Sequence, residues 1–442
     1  MTLQSFKQIP GDAVLNPGSD PLEIWQKAVK KHGDVSYITS GRFKMYLVNN
    51  PAIINEILLT KHKNFTKGNL LSRILGDGLL TSNGEFHHKQ KRLIQPAFHQ
   101  KIISTYADIM TSFTERAIST WKEGEVIDIH GEMMRLAMGI VAKCLFNADT
   151  ESEWKDVSGA FSDINNYMDR LSRPLGALRD RIPSPSNRRY HEALMRLDKI
   201  VYSIIEERRK SGEDAGDLLS ILLKARDEAG KQMTDKQLRD EMMTLFLAGY
   251  ETTANGLTWT WYLLSQNPSV MVKLHREVDT LFSIKNSPKA DDYMKLDYTT
   301  KVFKEALRLY PPAWRLARIA LVDYRVGEYL IPAGSRIIFS PYLIQHDSRF
   351  YERAEEFDPD RWTPEMEANL PDFAYFPFGG GPRGCVGEAF AKLEGTVLIS
   401  TIARKWDLLY ESKRKDVELW PGITLRPKHG MPMRLSKPTQ SK

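Results

Sequence analysis

Three stretches of this chain hold residue types at spacings that could do chemistry. The first is Phe378-Gly379-Gly380-Gly381-Pro382-Arg383-Gly384-Cys385-Val386-Gly387, which carries one of only two cysteines among five glycines. Backbone without a Cβ can lie flat against a planar group. The run Ala389 to Glu394 that follows favours helix, so Cys385 sits at the positive end of a helix dipole, where thiolate is favoured over thiol. A lone thiolate on a close-approaching loop is a soft metal ligand, and a single sulfur suits haem iron better than zinc. The second stretch is Ala248-Gly249-Tyr250-Glu251-Thr252-Thr253, an acid and two hydroxyls beside two small residues. The third is a set of charges: His88 and Arg92 four apart, and Glu305 and Arg308 three apart. Each pair lies on one helical face, where His88 and Arg92 could hold carboxylates and Glu305 could bridge Arg308.

The elements that must position these residues follow from periodicity and punctuation. Thr234 or Asp235 caps a long helix that runs to about Ser265 and carries the second stretch. Glycine and threonine lower helix propensity there, and a threonine hydroxyl turned onto the carbonyl four back loosens the ladder. Such a notch leaves room for a small molecule; close packing against a neighbouring helix is the plainer use of Ala248 and Gly249. Val302 to Pro312 reads as a helix stopped by prolines, with Glu305 and Arg308 inside. Earlier, Pro21 to Lys31 is helical and Val35–Ile38 with Lys44–Val48 form a hairpin. Pro51 to Leu58 is a further helix, and Asn64 to Asn83 is a glycine-broken connection. Thr105 to Leu223 is nearly continuous helix, interrupted by Gly124, Asn147 to Thr150, Arg173 to Asn187 and Ser211 to Asp214. Ala320 to Val326 and Ser335 to Ser340 are strands, and Ile423–Pro427 with Met431–Leu435 reads as a closing hairpin. Cys144, in an apolar helical run, reads as a core residue.

The ten-residue cysteine loop resembles the haem-binding signature of the cytochrome P-450 superfamily, with Phe378, Gly379, Gly381, Arg383, Cys385 and Gly387 on its fixed positions. Residues 248–253 resemble that family's oxygen-activation motif. The resemblance implies a mainly α fold with small β-sheets, holding haem b (iron protoporphyrin IX) between the long distal helix and the cysteine loop. It implies Cys385 as axial iron ligand, with Arg383, His88, Arg92 and Arg318 meeting the propionates and Phe378, Gly379, Gly387, Ala248 and Gly249 against the ring. Thr252 and Glu251 are then the catalytic pair, ordering dioxygen and relaying protons into an otherwise dry site. Glu305, Arg308 and Arg361 form a structural charge triad. The substrate pocket falls on Leu70, Leu71, Leu79, Phe246, Ala313, Trp314 and Ile423; Arg315 either faces that pocket or pairs at the surface. The stretch Arg173 to Pro185 corresponds to the family's lid.

Composition is compatible with that reading and excludes others. The 442 residues are 42% hydrophobic and 27% charged, with a net charge of +6. That balance suits a large globular core, and the absence of Lys/Arg runs argues against nucleic acid. Two cysteines build no disulfide framework. Neither a signal peptide nor an apolar run of about 18 residues is visible, so a cytoplasmic protein without a membrane anchor is expected. We therefore expect one domain over residues 1–442, a monomer, acting as a monooxygenase on a lipophilic small molecule. O2 is the oxidant and electrons come from a ferredoxin- or flavodoxin-type donor with its reductase, which Lys89, Lys91 and Lys392 could steer. The wording of the motifs leans towards fatty-acid hydroxylation, with terpenes or steroids as other substrates. A haem-thiolate isomerase, dehydratase or gas sensor, and a zinc or structural protein with a stray cysteine, are the competing classes.

Overall fold

The computed structural model describes residues 6–16, 18–41, 43–68, 70–148, 154–171, 184–227, 229–284, 288–412 and 416–438. The expected lid, Arg173 to Pro185, lies outside these except for its last two residues. The helices used below are α1 (Pro21–His32), α2 (Gly84–Ile94), α3 (Ala107–Ile118), α4 (Ile129–Phe146), α5 (Trp154–Leu171), α6 (Pro185–Ser211), α7 (Asp235–Gln266), α8 (Asp297–Leu309) and α9 (Glu388–Ala403).

Helix α7 is the axis of the molecule. Thr234 accepts from Gln237 N while the Gln237 side chain accepts from Thr234 N, so a reciprocal capping box starts it. Twenty-two of its 32 residues are buried, so it is apolar nearly all round, as a helix enclosed by others must be. It packs along α4, α8, α6 and α9. One large cluster, from Ile74 to Leu435, fills the space between them, and Cys144 is 1% exposed within it.

The sheets lie to one side. Val35–Ser40 (β1) pairs antiparallel with Phe43–Val48 (β2), which lies parallel to Arg336–Phe339; the order continues through Leu316–Ala320 to Phe65–Thr66. A short parallel strand, Ala13–Val14, adds the other edge. The expected closing hairpin is not one. Leu425–Pro427 pairs back with Leu419–Pro421, whereas Pro432–Ser436 is the middle strand between Asp407–Tyr410 and Val126–Asp128. Alternation identified the strands correctly, but partner choice is set by distant chain. The helix expected over Pro51–Leu58 is α-helical only to Asn55 and finishes as a π-turn over Glu56–Thr60.

The charge triad is assembled as expected. The Arg308 guanidinium forks onto Glu305 at 2.8 and 2.9 Å, and Arg361 Nε donates to the same carboxylate at 2.9 Å. Trp362 Nε1 and Asp358 N also donate to that carboxylate, at 2.9 and 3.2 Å. The remaining Arg308 donors go to the carbonyls of Gln345, Ala354 and Glu356. Glu305 and Arg308 are both fully buried, so the charges survive because every lone pair and proton has a partner.

Candidate active site

Cys385 is exposed although it lies deep in the fold, and Ala248 is exposed in the middle of the otherwise buried α7; together they mark an opening, a cleft between loop and helix. Gly379 and Gly381 hold φ of +70° and +64°, conformations that side chains with a Cβ rarely adopt. A Cβ on Gly381 would stand 2.0 Å from the Leu58 carbonyl oxygen, so the loop lies directly on the π-turn. Cys385 N donates to Phe378 O at 3.0 Å, closing the loop, and α9 begins three residues later. The thiol is accessible from the cleft yet deep within the fold. Burial pushes its pKa up to about 11, partly opposed by the Gly387 N–H. The expected dipole effect is therefore outweighed by desolvation: alone, this sulfur is a thiol. A cation placed beside it would reverse that balance, as a bound metal does for a coordinating thiol.

Across the cleft, α7 is buried through its middle except along one stripe. Ala248 is exposed, and Phe246, Gly249 and Thr252 are half-buried. The spacing of Ala248, Gly249 and Thr252 places them on one helical face. Thr252 Oγ1 donates to Ala248 O at 2.6 Å, the back-bond expected from the sequence. Gly249 serves both roles weighed for it: it borders the cleft, and a Cβ there would meet Val141 of α4 at 3.1 Å. Glu251 turns the other way. It is 4% exposed, accepting from Thr424 Oγ1 at 2.6 Å and Asn165 Nδ2 at 3.3 Å.

The rim of the cleft is a group of cations. Arg318, on the strand Leu316–Ala320, is 8% exposed, and burial together with Arg383 pulls its pKa down to about 10. Lys67 is held well below its usual value by burial and by Arg318, Arg383 and Lys91. The same burial and charges, Arg383 foremost, pull His87 down to about 3. These groups donate to neutral oxygens: Lys67 to Leu80 O, Lys91 to Pro382 O, Arg383 to Asn83 Oδ1. Among the described residues none of these four cations is in a salt bridge. Buried like charges held together without a counter-ion are a binding site for an anion.

On α2 the expected propionate pair and the residues next to it face different ways. His88 and Arg92 are exposed, whereas His87 and Lys91 face the cations and the cleft. One residue is a rotation of about 100° on a helix, and a run as basic as His87-His88-Lys89-Gln90-Lys91-Arg92 looks alike from both faces. Lys67 was not foreseen at all; it follows a two-residue strand, and no local pattern marks it. Of the expected steering residues, Lys91 turns inward, while Lys89 and Lys392 pair with Asp227 and Glu388.

The expected pocket divides. Leu79 and Leu71 pack on the core and Leu70 is 40% exposed. The segment around them is hung from α7, with Asp77 N on Asp240 and Leu79 N on Glu241, whose carboxyl burial pushes up to about 8. Phe246 joins Phe146, Phe161 and Tyr250 in an aromatic cluster. Ala313 and Ile423 are half-buried. Trp314 does not line the cleft. It is wholly buried against Trp25 of α1 at 5.0 Å, with its N–H on Gly422 O, because so large a ring finds its apolar contacts and its acceptor there. Arg315 lies over the Trp314 ring at 5.0 Å.

A haem-sized anionic cofactor fits these residues on two observations: the unpaired cationic rim suits two propionates, and the glycine loop presents a sulfur to a flat face. The comparisons agree. The family model Cytochrome P450 matches residues 13–433. Cyclooctatin synthase of Streptomyces melanosporofaciens is 35% identical, over 90% of this chain and 86% of that protein. Pentalenene oxygenase of Streptomyces avermitilis is 34% identical, over 89% of this chain and 91% of its own. The crystal structure of the cytochrome P450DA haem domain superposes with a TM-score of 0.88 at 25% identity, covering 98% of both chains. Among the described residues no helix is long and apolar enough to cross a membrane. A thiol on a glycine loop, a notched helix opposite and an anion-seeking rim are thus the parts of one site, and the chain belongs to the cytochrome P450 family of haem-thiolate monooxygenases, oxidoreductases that use O2, a redox partner and a lipophilic substrate.

Proposed function

We propose that this protein oxygenates a cyclic terpene, taking electrons from a separate ferredoxin- or flavodoxin-type donor and its reductase. One observation carries the choice of substrate. Cyclooctatin synthase, cyclooctat-9-en-7-ol 5-monooxygenase and pentalenene oxygenase, each 34 to 35% identical to this chain, are all named for ring compounds of the terpene class. The fatty-acid expectation rested on motif wording alone, and these relatives weigh against it.

Haem bound here would supply the activation of dioxygen; the chain's own residues do the rest. Cys385 offers the thiolate, whose ionisation the iron must drive against burial. Arg318, Arg383, Lys67 and Lys91 neutralise the propionates, and His87 stands beside them as a neutral donor. Ala248, Gly249 and Ala313 leave an apolar surface for substrate, with Thr252 as the hydroxyl among them. Glu251, behind Thr252, supplies protons while its burial keeps bulk water out. Residues as far apart in sequence as Lys67 and Arg383 act on one another here, which supports one catalytic unit over the chain.

The test is a spectral binding screen on the haem-loaded protein, with Cys385→Ala as control. Pentalenene and cyclic diterpene alcohols are expected to shift the iron spin state, while lauric acid and steroids leave it unchanged. A shift with fatty acids alone overturns the reading. In Cys385→Ala the red-shifted Soret band of the reduced carbon monoxide adduct is expected to vanish.

A further inference from the structure

Glu251 is held by a chain of side chains that leads away from the cleft. Thr424 Oγ1 donates to Glu251 Oε1 at 2.6 Å and itself accepts from Asn255 Nδ2 at 3.2 Å. Asn255 Oδ1, which can only accept, lies 3.1 Å from His130 Nε2, so that nitrogen carries the proton. Every donor in the series therefore points towards the carboxylate. Asn255, Thr424 and Glu251 are 0%, 8% and 4% exposed, and His130 at the far end is half-buried. In so dry a setting a broken link leaves a polar atom without water to replace it.

The turn that carries Thr424 is itself fixed. Trp314 Nε1 donates to Gly422 O at 3.0 Å and Trp259 Nε1 to Leu425 O at 3.1 Å, on either side of Thr424. Leu425 N adds a bond to Pro312 O at 2.9 Å. Two buried indoles thus pin the turn, and Thr424 is a rigid post rather than a mobile tip.

We infer that Thr424, backed by Asn255 and His130, is a positioning residue that fixes the Glu251 carboxylate behind Thr252 and so keeps proton supply coupled to oxygen insertion. This rests on the reading of Glu251 as the proton-supplying acid. Without the post, the carboxylate loses its shortest hydrogen bond and shifts on an otherwise intact helix, protons arrive out of place, and electrons leave as hydrogen peroxide.

Haem-loaded Thr424→Val, Thr424→Ser and Glu251→Gln proteins test this in two ways. The carboxylate stretch of Glu251 is the infrared band missing from Glu251→Gln. It is expected to shift in Thr424→Val and to return to its original place in Thr424→Ser, with no substrate present. With pentalenene as probe, the fraction of NADPH electrons recovered as peroxide should rise several-fold in Thr424→Val and fall back in Thr424→Ser. Turnover driven by added hydrogen peroxide should be unchanged in Thr424→Val and Thr424→Ser. An unmoved band and unchanged leakage in Thr424→Val, beside a leaking Glu251→Gln, overturn the inference and leave the acid's role standing. A Glu251→Gln protein that does not leak overturns that role, and the inference with it. If Thr424→Val fails to take up haem, His130→Leu at the half-exposed end is measured in the same way, and an unshifted band there overturns the chain.

Discussion

Two clusters of charge in this molecule obey opposite rules. In one, Glu305, Arg308 and Arg361 satisfy each other and the surrounding carbonyls down to the last donor. In the other, Lys67, Lys91, Arg318 and Arg383 repel one another and lean on neutral oxygens. Glu305 and Arg308 are wholly buried, whereas Lys67, Lys91 and Arg383 are half-buried, but what sets the clusters apart chemically is pairing. A complete network is structure, closed to further chemistry. An incomplete one is stored electrostatic work, released when an anion arrives.

Perturbing each cluster should produce opposite responses. The largest effect is expected in the closed one. Arg308→Leu leaves Glu305 buried without its forked partner, which should cost about 3–5 kcal/mol in denaturant unfolding and much of the haem-loaded yield. A loss below about 1 kcal/mol would mean the triad is less closed than its geometry. The second effect is on pH and belongs to the open cluster. His87 has a folded pKa of about 3 against an ordinary value of 6.5, so between these the unfolded chain binds more protons. Stability of the cofactor-free protein should be complete above about pH 6.5 and fall by a few kcal/mol as pH drops towards 3, a slope that His87→Gln should flatten. The smallest effect has a reversed sign. Arg318→Met removes one of the mutually repelling cations, so the cofactor-free protein should gain about 1 kcal/mol in thermal unfolding while its affinity for haem falls roughly tenfold. Destabilisation of both forms would erase the distinction between the clusters.

The sequence disclosed the site where chemistry needs particular residue types at fixed local spacing. The cysteine loop, the Ala248 to Thr253 notch and the Glu305–Arg308 pair were all legible for that reason, and the third partner, Arg361, came with the family resemblance. What it hid was tertiary. Lys67 reaches Arg318 and Arg383 across some 250 to 320 residues of chain, with nothing in its neighbours to announce it. On α2 the basic run gave two equivalent faces, and packing chose the one carrying His87 and Lys91. Trp314 follows the Pro311-Pro312 pair that should lead past the cofactor, yet the acceptor at Gly422 drew its indole to the other side. The tail strands alternated as hairpin strands do, but their hydrogen bonds were claimed by Val126–Asp128 and Asp407–Tyr410. At Cys385 the expected thiolate did not follow from the helix, because a helix dipole is a small term beside the desolvation of a thiolate.

The contact between Gly381 and the π-turn at Leu58 also bears on how this enzyme can be altered. Any side chain at position 381 would drive a Cβ to within 2.0 Å of a backbone oxygen, at a φ of +64° that disfavours it in any case. No neighbouring rotamer can yield, since the obstacle is main chain. A variant library that randomises the cysteine loop would therefore lose its position-381 members before any substrate is tried, and those losses would be read as a preference of catalysis. Diversity spent on Ala248, Ala313 and Ile423 meets no such wall, and selection there would report on the substrate itself.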